Sequence, residues 1–270
     1  MTIAVRVSGR LLKNCEYVLQ LSQLLERHEG ESTMKYICIT GATRGIGAFL
    51  TKVFLDEGYT VFAGSIEESE QLLKYKQLYE NQLHIVHMDI GSDRSVKEAT
   101  AYIYSQTKYL DVLINNAGIL GDIESTIKTD LDFDEMLTVY NVNSVGPLRV
   151  THALLALLQA GNEKILLNIS SEAGSIGNSF RTSWYAYCMS KAALNMQSAM
   201  LRDHLQEDDI KVIIMHPGWV QTFMRGKVDS DATYTPKEAA QMIYNTMRRQ
   251  AAEPFSRNNF IDSEGRQLPW

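Results

Sequence analysis

Tyr36-Ile37-Cys38-Ile39-Thr40-Gly41-Ala42-Thr43-Arg44-Gly45-Ile46-Gly47 is the stretch on which the fold turns. Its first part is apolar without alternation, which suits a strand buried on both faces. Glycines follow at 41, 45 and 47, and a helix is predicted over 45–57. A glycine-rich turn between strand and helix lets the backbone approach a pyrophosphate closely. The helix behind it aims its N-terminal N–H groups and partial positive charge at the phosphates. The spacing is G-x-x-x-G-x-G, not the common G-x-G-x-x-G. Three glycines also make a plain tight loop, and it is the position after a first strand that points to a dinucleotide.

Outward from that turn, short apolar runs alternate with longer helical stretches. The runs are Tyr36–Thr40, Thr60–Ala63, Leu83–Met88, Val112–Asn115, Ile165–Ile169, Val212–Met215 and Asn259–Ile261. Helices are predicted over 45–57, 67–80, 92–107, 133–160, 185–207 and 236–251. This alternation implies a doubly wound α/β domain: about seven strands in a parallel sheet, with helices on both faces. Residues 34–270 read as one such domain, with no repeat or linker.

Residues 1–33 read differently. Arg6, Arg10 and Lys13 precede the first acid, Glu16, and Val18, Leu19, Leu21, Leu24 and Leu25 recur at helical spacing. The segment lacks the compact apolar core and small-residue cleavage site of a secretory signal. An appended helix, an upstream start with Met34 opening the domain, and a weak transit-like segment all stay open.

The 270 residues are 45% hydrophobic and 21% charged, a globular composition. The net charge of −6 lacks the basic surplus of a duplex nucleic-acid binder. No run reaches the ~18 apolar residues of a membrane span. The three cysteines (Cys15, Cys38, Cys188) share no metal-ligand spacing, so a reducing, cytoplasmic setting without a structural disulfide is expected. The six histidines are scattered and suggest no metal site.

Beside the glycine turn stand Asp89-Ile90, Asn115-Asn116-Ala117-Gly118 and Pro217-Gly218-Trp219-Val220-Gln221-Thr222, each after a predicted strand. In this order they resemble the short-chain dehydrogenase/reductase family, which has a Rossmann-type fold, over about residues 34–270. The resemblance implies cofactor contacts from Gly41, Thr43, Arg44, Gly45, Ile46 and Gly47, and from Asp89 and Ile90 on the adenine side. It implies further contacts from Asn115, Ala117 and Gly118, and from Pro217, Gly218, Val220 and Thr222. The Val220 backbone would meet the carboxamide and Thr222 the pyrophosphate.

An acid ending the second strand would bind a ribose 2′-hydroxyl and repel a 2′-phosphate. That place holds Ser65. Glu67 is near but reads as opening the next helix. Arg44 matches a place where NADP-preferring relatives often carry a basic residue, and a guanidinium clamps phosphate well. The expectation is NADP(H) over NAD(H), with a merely solvated Arg44 as the competing reading.

Tyr187-Cys188-Met189-Ser190-Lys191 places a phenol and an ammonium four residues apart on one helical face. A nearby cation favours the phenolate and can lower the ordinary tyrosine pKa of about 10. The same cation can hold ribose hydroxyls, so Tyr187 and Lys191 serve both chemistry and cofactor. Tyr185 competes with Tyr187 but has Met189 at the fourth position. In Asn168-Ile169-Ser170-Ser171 the family resemblance picks Ser171 as the hydroxyl that polarises the substrate. The sixteen positions from Ser171 to Tyr187 exceed the family's usual spacing, so Ser170, Ser175 and Ser183 stay open as alternatives. In Tyr140-Asn141-Val142-Asn143-Ser144-Val145-Gly146 the resemblance picks Asn143, whose backbone helps hold a water leading from the lysine to solvent. An asparagine inside a helix hints at special geometry there. His216 reads as packing at a strand end.

Ser170–Ile176, Tyr187–Met196 and Gly265–Trp270 resemble the C-factor-like carbonyl reductases within the family. The resemblance implies hydride exchange between a nicotinamide and a small-molecule carbonyl or secondary alcohol, run as a reductase. Trp184, Trp219, Phe223 and Met224 suggest an apolar mouth or plain packing. A homodimer through the two long helices is expected, with Leu154, Leu155, Leu157 and Leu158 as its apolar stretch or as monomer core. The alternatives are a dinucleotide-binding signalling protein with little turnover, and a sugar-nucleotide epimerase or dehydratase. Relatives of the latter kind typically carry G-x-x-G-x-x-G and a longer carboxyl-terminal substrate domain.

Overall fold

The computed structural model describes residues 34–270 and, before them, a short antiparallel hairpin pairing Arg6–Val7 with Arg10–Leu11. Contacts divide the chain into two units, Met1–Met34 and Lys35–Trp270. The helical spacing at Val18–Leu25 lies outside the described residues.

Seven strands form the sheet of the larger unit: β1 (Lys35–Ile39), β2 (Tyr59–Ser65), β3 (Leu83–His87), β4 (Val112–Asn115), β5 (Ile165–Ile169), β6 (Lys211–His216) and β7 (Phe260–Asp262). Their order is β3-β2-β1-β4-β5-β6-β7, and every neighbouring pair is parallel. The unbroken apolar runs have a plain cause. Side chains along a strand alternate between faces, and here both faces are core. From β1, Ile37 and Ile39 enter one cluster and Tyr36 and Cys38 the other. From β4, Val112 and Ile114 join the first, Leu113 the second.

The first cluster is covered by α1 (Gly45–Asp56), α2 (Glu70–Tyr79) and α7 (Pro236–Ala252), through residues such as Leu50, Phe54, Leu72, Ile243 and Met247. The second lies under α3 (Asp93–Gln106), α5 (Gly146–Gln159) and the end of α6 (Tyr185–Leu205), through Ile103, Val150, Leu154 and Leu205. The end signals follow capping chemistry. Thr235 and Glu238 form a capping box with Pro236 in the first turn of α7. Ser69 accepts from the Leu72 N–H and so starts α2 at Glu70, three residues later than expected.

The predicted helix over 133–160 is interrupted. α4 (Phe133–Tyr140) runs into a π turn, Asn141–Val145, before α5 begins. Such turns are rare and mark functional places in helices. The chain leaves β1 to one side and returns at β4 on the other. That reversal opens a crevice at the carboxyl ends of these strands, where open α/β sheets take ligands. Among the described residues no helix is long and apolar enough to cross a membrane, and no His/Cys/Asp/Glu group suits a metal. Cys38 and Cys188 are free thiols.

Candidate active site

The glycine turn is built for close backbone approach. Gly41 has φ +66°, and a Cβ there would stand 2.7 Å from the Ala117 Cα. At Gly47 a Cβ would fall 2.1 Å from the Gly41 carbonyl oxygen. Neither position tolerates a side chain, and Gly45 (φ +57°) adds a second left-handed residue that glycine takes without strain. Asn116 ties this turn to β4: its Nδ2 donates to the carbonyls of Thr40 and Gly41, both at 3.0 Å. Thr40 Oγ1 accepts from the N–H groups of Asn116 (3.0 Å) and Ala117 (3.1 Å). Thr222 closes the far side, its Cγ2 lying 3.5 Å from where a Gly45 Cβ would be. Gly218 (φ +87°) packs so tightly on the Tyr234 ring that a Cβ would lie 2.8 Å from it, and Val220 bridges to Tyr234. Pro217, Gly218, Val220 and Thr222 are thus carried back from the end of β6 toward the turn. A glycine cradle before a helix N-terminus fits a dinucleotide pyrophosphate.

Arg44 is exposed and paired with Glu67, Nη1 to Oε1 at 3.1 Å. Glu67 therefore does not open α2, as the sequence suggested; Ser69 takes the cap, and Glu67 stays in the loop opposite Arg44. Ser65 is buried, its hydroxyl 2.9 Å from Thr43 Oγ1, and it donates to the Glu67 carbonyl at 2.5 Å. Asp89 is exposed, and its Oδ1 accepts from the Gly91 N–H at 2.9 Å. Its neighbour Ile90 is core. Ile46 packs against the first cluster.

Asn115 has a structural task. Its side chain points into the core, donating to Asn168 Oδ1 at 2.8 Å and Thr151 Oγ1 at 3.0 Å. This amide ties β4 to β5 and α5, which leaves the Asn115 backbone to face the crevice at the strand ends.

Lys191 and Tyr187 are buried neighbours on α6. Lys191 Nζ stands 5.7 Å from the Tyr187 ring centre and donates to the Ile169 carbonyl at 3.0 Å. Burial pushes the Lys191 ammonium down to about 8 and the Tyr187 phenol up to about 12. The lowered phenol expected from the spacing is therefore not the net result, because loss of water around the anion outweighs the favourable contacts. The Ser171 hydroxyl hydrogen-bonds the phenol and favours its ionisation. Ser171 Oγ also accepts from the Ala173 N–H at 3.1 Å, so it caps the short turn Glu172–Gly174. The alternatives have other work. Ser170 donates to Asn195 Oδ1 at 2.5 Å, and Ser175 accepts from the Asn178 N–H at 3.1 Å.

Asn143 is fully buried in the π turn. Its amide reads the Ile119 backbone on both sides, at 2.8 Å each, and donates to Ser190 Oγ at 3.0 Å. Ser190 donates in turn to the Tyr187 carbonyl at 2.8 Å. Gly118 sits beside the set, where a Cβ would lie 3.2 Å from Asn143 Oδ1 and 3.7 Å from Lys191 Nζ. Asn141 is structural, donating to the Gly91 carbonyl at 2.8 Å.

At the mouth, Trp184 meets Tyr187 edge-on at 6.1 Å and takes a left-handed backbone (φ 66°) as the cap of α6. Leu120, Ile123 and Cys188 pack around the same phenol. Trp219, Phe223 and Met224 are exposed rather than core. His216 is mostly buried, its Nδ1 has no hydrogen-bond partner, and burial lowers its pKa.

The short chain dehydrogenase family model matches residues 35–233. The chain belongs to the short-chain dehydrogenase family. It is an oxidoreductase of that family. C-signal of Myxococcus xanthus is 35% identical over 161 residues, 60% of this chain and 93% of that protein. An uncharacterized oxidoreductase of Schizosaccharomyces pombe is 33% identical over 228 residues, 83% of this chain and 87% of that one. The NADPH-bound carbonyl reductase from chicken fatty liver superposes with a TM-score of 0.77 at 28% identity, covering 88% of this chain and 99% of that one.

Within this short-chain dehydrogenase, two positioning residues escaped the sequence reading. Asn116 lies inside the motif already noted, but its grip on the glycine turn needed β1 and β4 to be neighbours. Ser190, between Tyr187 and Lys191, became visible only once the π turn brought Asn143 against α6.

Proposed function

We propose that this chain is an NADPH-dependent carbonyl reductase acting on a small carbonyl compound. The observation that carries it is the buried Tyr187 phenol, hydrogen-bonded by Ser171 and flanked by the Lys191 ammonium. A phenol held near 12 keeps its proton at neutral pH. It is therefore a ready acid for the much more basic alkoxide that forms when a carbonyl is reduced. When bound, the nicotinamide cofactor supplies the hydride. Ser171 Oγ donates to the carbonyl oxygen as charge develops there, and Tyr187 Oη delivers the proton that completes the alcohol. Lys191, still largely cationic at neutrality, favours the phenolate left behind and holds ribose hydroxyls. Asn143 and Ser190 fix the α6 turn between these two side chains.

Arg44 supports the preference for NADPH, since its guanidinium can exchange Glu67 for a 2′-phosphate. A cytoplasmic setting is in keeping with the free thiols of Cys38 and Cys188. A homodimer is supported by exposed apolar side chains on two packed helices: Phe133 and Leu137 on α4, and Met189, Met196 and Met200 on α6. Leu154, Leu157 and Leu158 belong to the monomer core instead.

The test is a panel of aldehydes, ketones and quinones with NADPH oxidation as readout. Turnover supports the reading, and tight NADPH binding without turnover on any carbonyl overturns it. That second outcome would favour a dinucleotide-binding signalling protein, a reading suggested by the name of one relative, C-signal.

A further inference from the structure

The long loop between Ser171 and Tyr187 is organised around one ion pair. Glu172, directly after Ser171, opens the short turn Glu172–Gly174. Arg181 reaches back and grips its carboxylate at two points, Nη1 to Oε2 at 2.9 Å and Nη2 to Oε1 at 2.6 Å. The pair is shielded, the two side chains being 18% and 28% exposed. The guanidinium also lies against two rings, 4.6 Å from the centre of Phe180 and 5.0 Å from that of Trp184. Trp184 in turn abuts Tyr187. The turn is seated on α6, where a Cβ on Gly174 would stand 2.6 Å from the Lys191 carbonyl carbon. A carboxylate and its cation are therefore fixed beside the phenol by the same loop that presents Ser171.

We propose that Arg181 is a positioning residue of the proton transfer: by gripping Glu172 it offsets a negative charge beside Tyr187 and anchors the turn that presents Ser171. The proposal rests on Tyr187 being the proton donor. An unpaired Glu172 opposes loss of the Tyr187 proton, whereas Arg181 favours it. The other groups facing the phenol are Lys191 and Cys188 on α6. His216 on β6 interacts with Glu172, Arg181, Lys191 and Asp262, and Arg225 lies over Trp184 at 5.3 Å. Among these, Arg181 is the cation that holds Glu172.

The two partners make opposite electrostatic predictions, which a purely structural ion pair does not. The experiment is kcat/KM against pH for NADPH-dependent reduction of 4-nitrobenzaldehyde, or of whichever panel carbonyl is reduced fastest. It compares wild type with R181A, R181K, E172Q, the R181A/E172Q double variant and Y187F. The falling alkaline limb belongs jointly to Tyr187 and Lys191. R181A leaves an uncompensated anion and moves that limb up by about 0.5 pH unit or more. E172Q leaves an uncompensated cation and moves it down. The double variant returns it toward wild type, and R181K falls between wild type and R181A. Shifts of the same sign, or no shifts, overturn the proposal. Should R181A fail to fold, the contrast of E172Q with R181K decides by the same signs. Y187F separates the two failures. If it keeps wild-type turnover, the proton-donor reading falls; if it is inactive while the limb stays fixed, only the role of Arg181 falls.

Discussion

Lys191 Nζ stands 5.7 Å from the centre of the Tyr187 ring, one helical turn away. Both groups are buried, and burial acts on them in opposite senses. It disfavours the ammonium and also disfavours the phenolate, so the two pKa values move apart, to about 8 and about 12. At neutral pH the resting pair is a protonated phenol beside a cation, the charge state a reductase needs.

The pH dependence follows from the sign of the Lys191 shift. A lysine whose pKa is lowered by burial loses its charge as pH rises through about 8, well before an ordinary lysine would. kcat/KM for reduction should therefore be flat near neutrality and fall above about pH 8, along a limb that loss of the Lys191 charge opens and Tyr187 shares. A pH–rate profile on the free enzyme checks this, and a profile flat to pH 10 would contradict it.

Ser171 and Ser175 can be told apart by substitution. Ser171 touches the phenol, and Ser171→Ala should lower kcat by roughly 10²–10³-fold. Ser175 only supports the Asn178 N–H, so Ser175→Ala should cost about 1 kcal/mol of stability or less and leave kcat within a few-fold. Steady-state kinetics and thermal melts of both variants decide, and the reverse pattern would move the role to Ser175.

Cofactor choice is tested at Arg44. Arg44→Ala should weaken NADPH roughly tenfold or more while changing NADH little, since a charged hydrogen bond contributes about 1.5–3 kcal/mol. Dissociation constants from calorimetry for both cofactors give the answer. An equal loss for both would place Arg44 away from the 2′-phosphate.

Asn116 should act without regard to that phosphate. It braces the glycine turn through two carbonyls, so Asn116→Ala should weaken NADPH and NADH alike, by about tenfold. Calorimetry with both cofactors reads this directly, and a loss confined to one of them would mean the turn is not what Asn116 holds.

Most of the sheet was legible because both of its faces are core, which leaves apolar runs such as Ile165–Ile169 unmistakable. The glycine turn was legible because Gly41 and Gly47 stand where no side chain fits. What was hidden depends on three-dimensional placement. The π turn at Asn141–Val145 leaves only a faint trace, an asparagine where a helix former belongs. The acidic neighbours of Glu67 suit a helix N-terminus, whereas the Ser69 hydroxyl takes the cap and frees Glu67 for Arg44. The inward turn of Asn115 depends on Asn168 and Thr151, which are distant in sequence. The net effect on Tyr187 is hidden because spacing reveals a cation four residues away and not how much water both groups lose.

The most direct test is single-turnover oxidation of NADPH by a reactive aryl carbonyl in wild type and Y187F, with NADPH affinity measured alongside. Loss of the proton donor should slow the chemical step by roughly 10²–10⁴-fold while leaving the NADPH dissociation constant nearly unchanged. A Y187F protein that binds NADPH and reduces the carbonyl at the wild-type rate would contradict the assignment of Tyr187 as the acid.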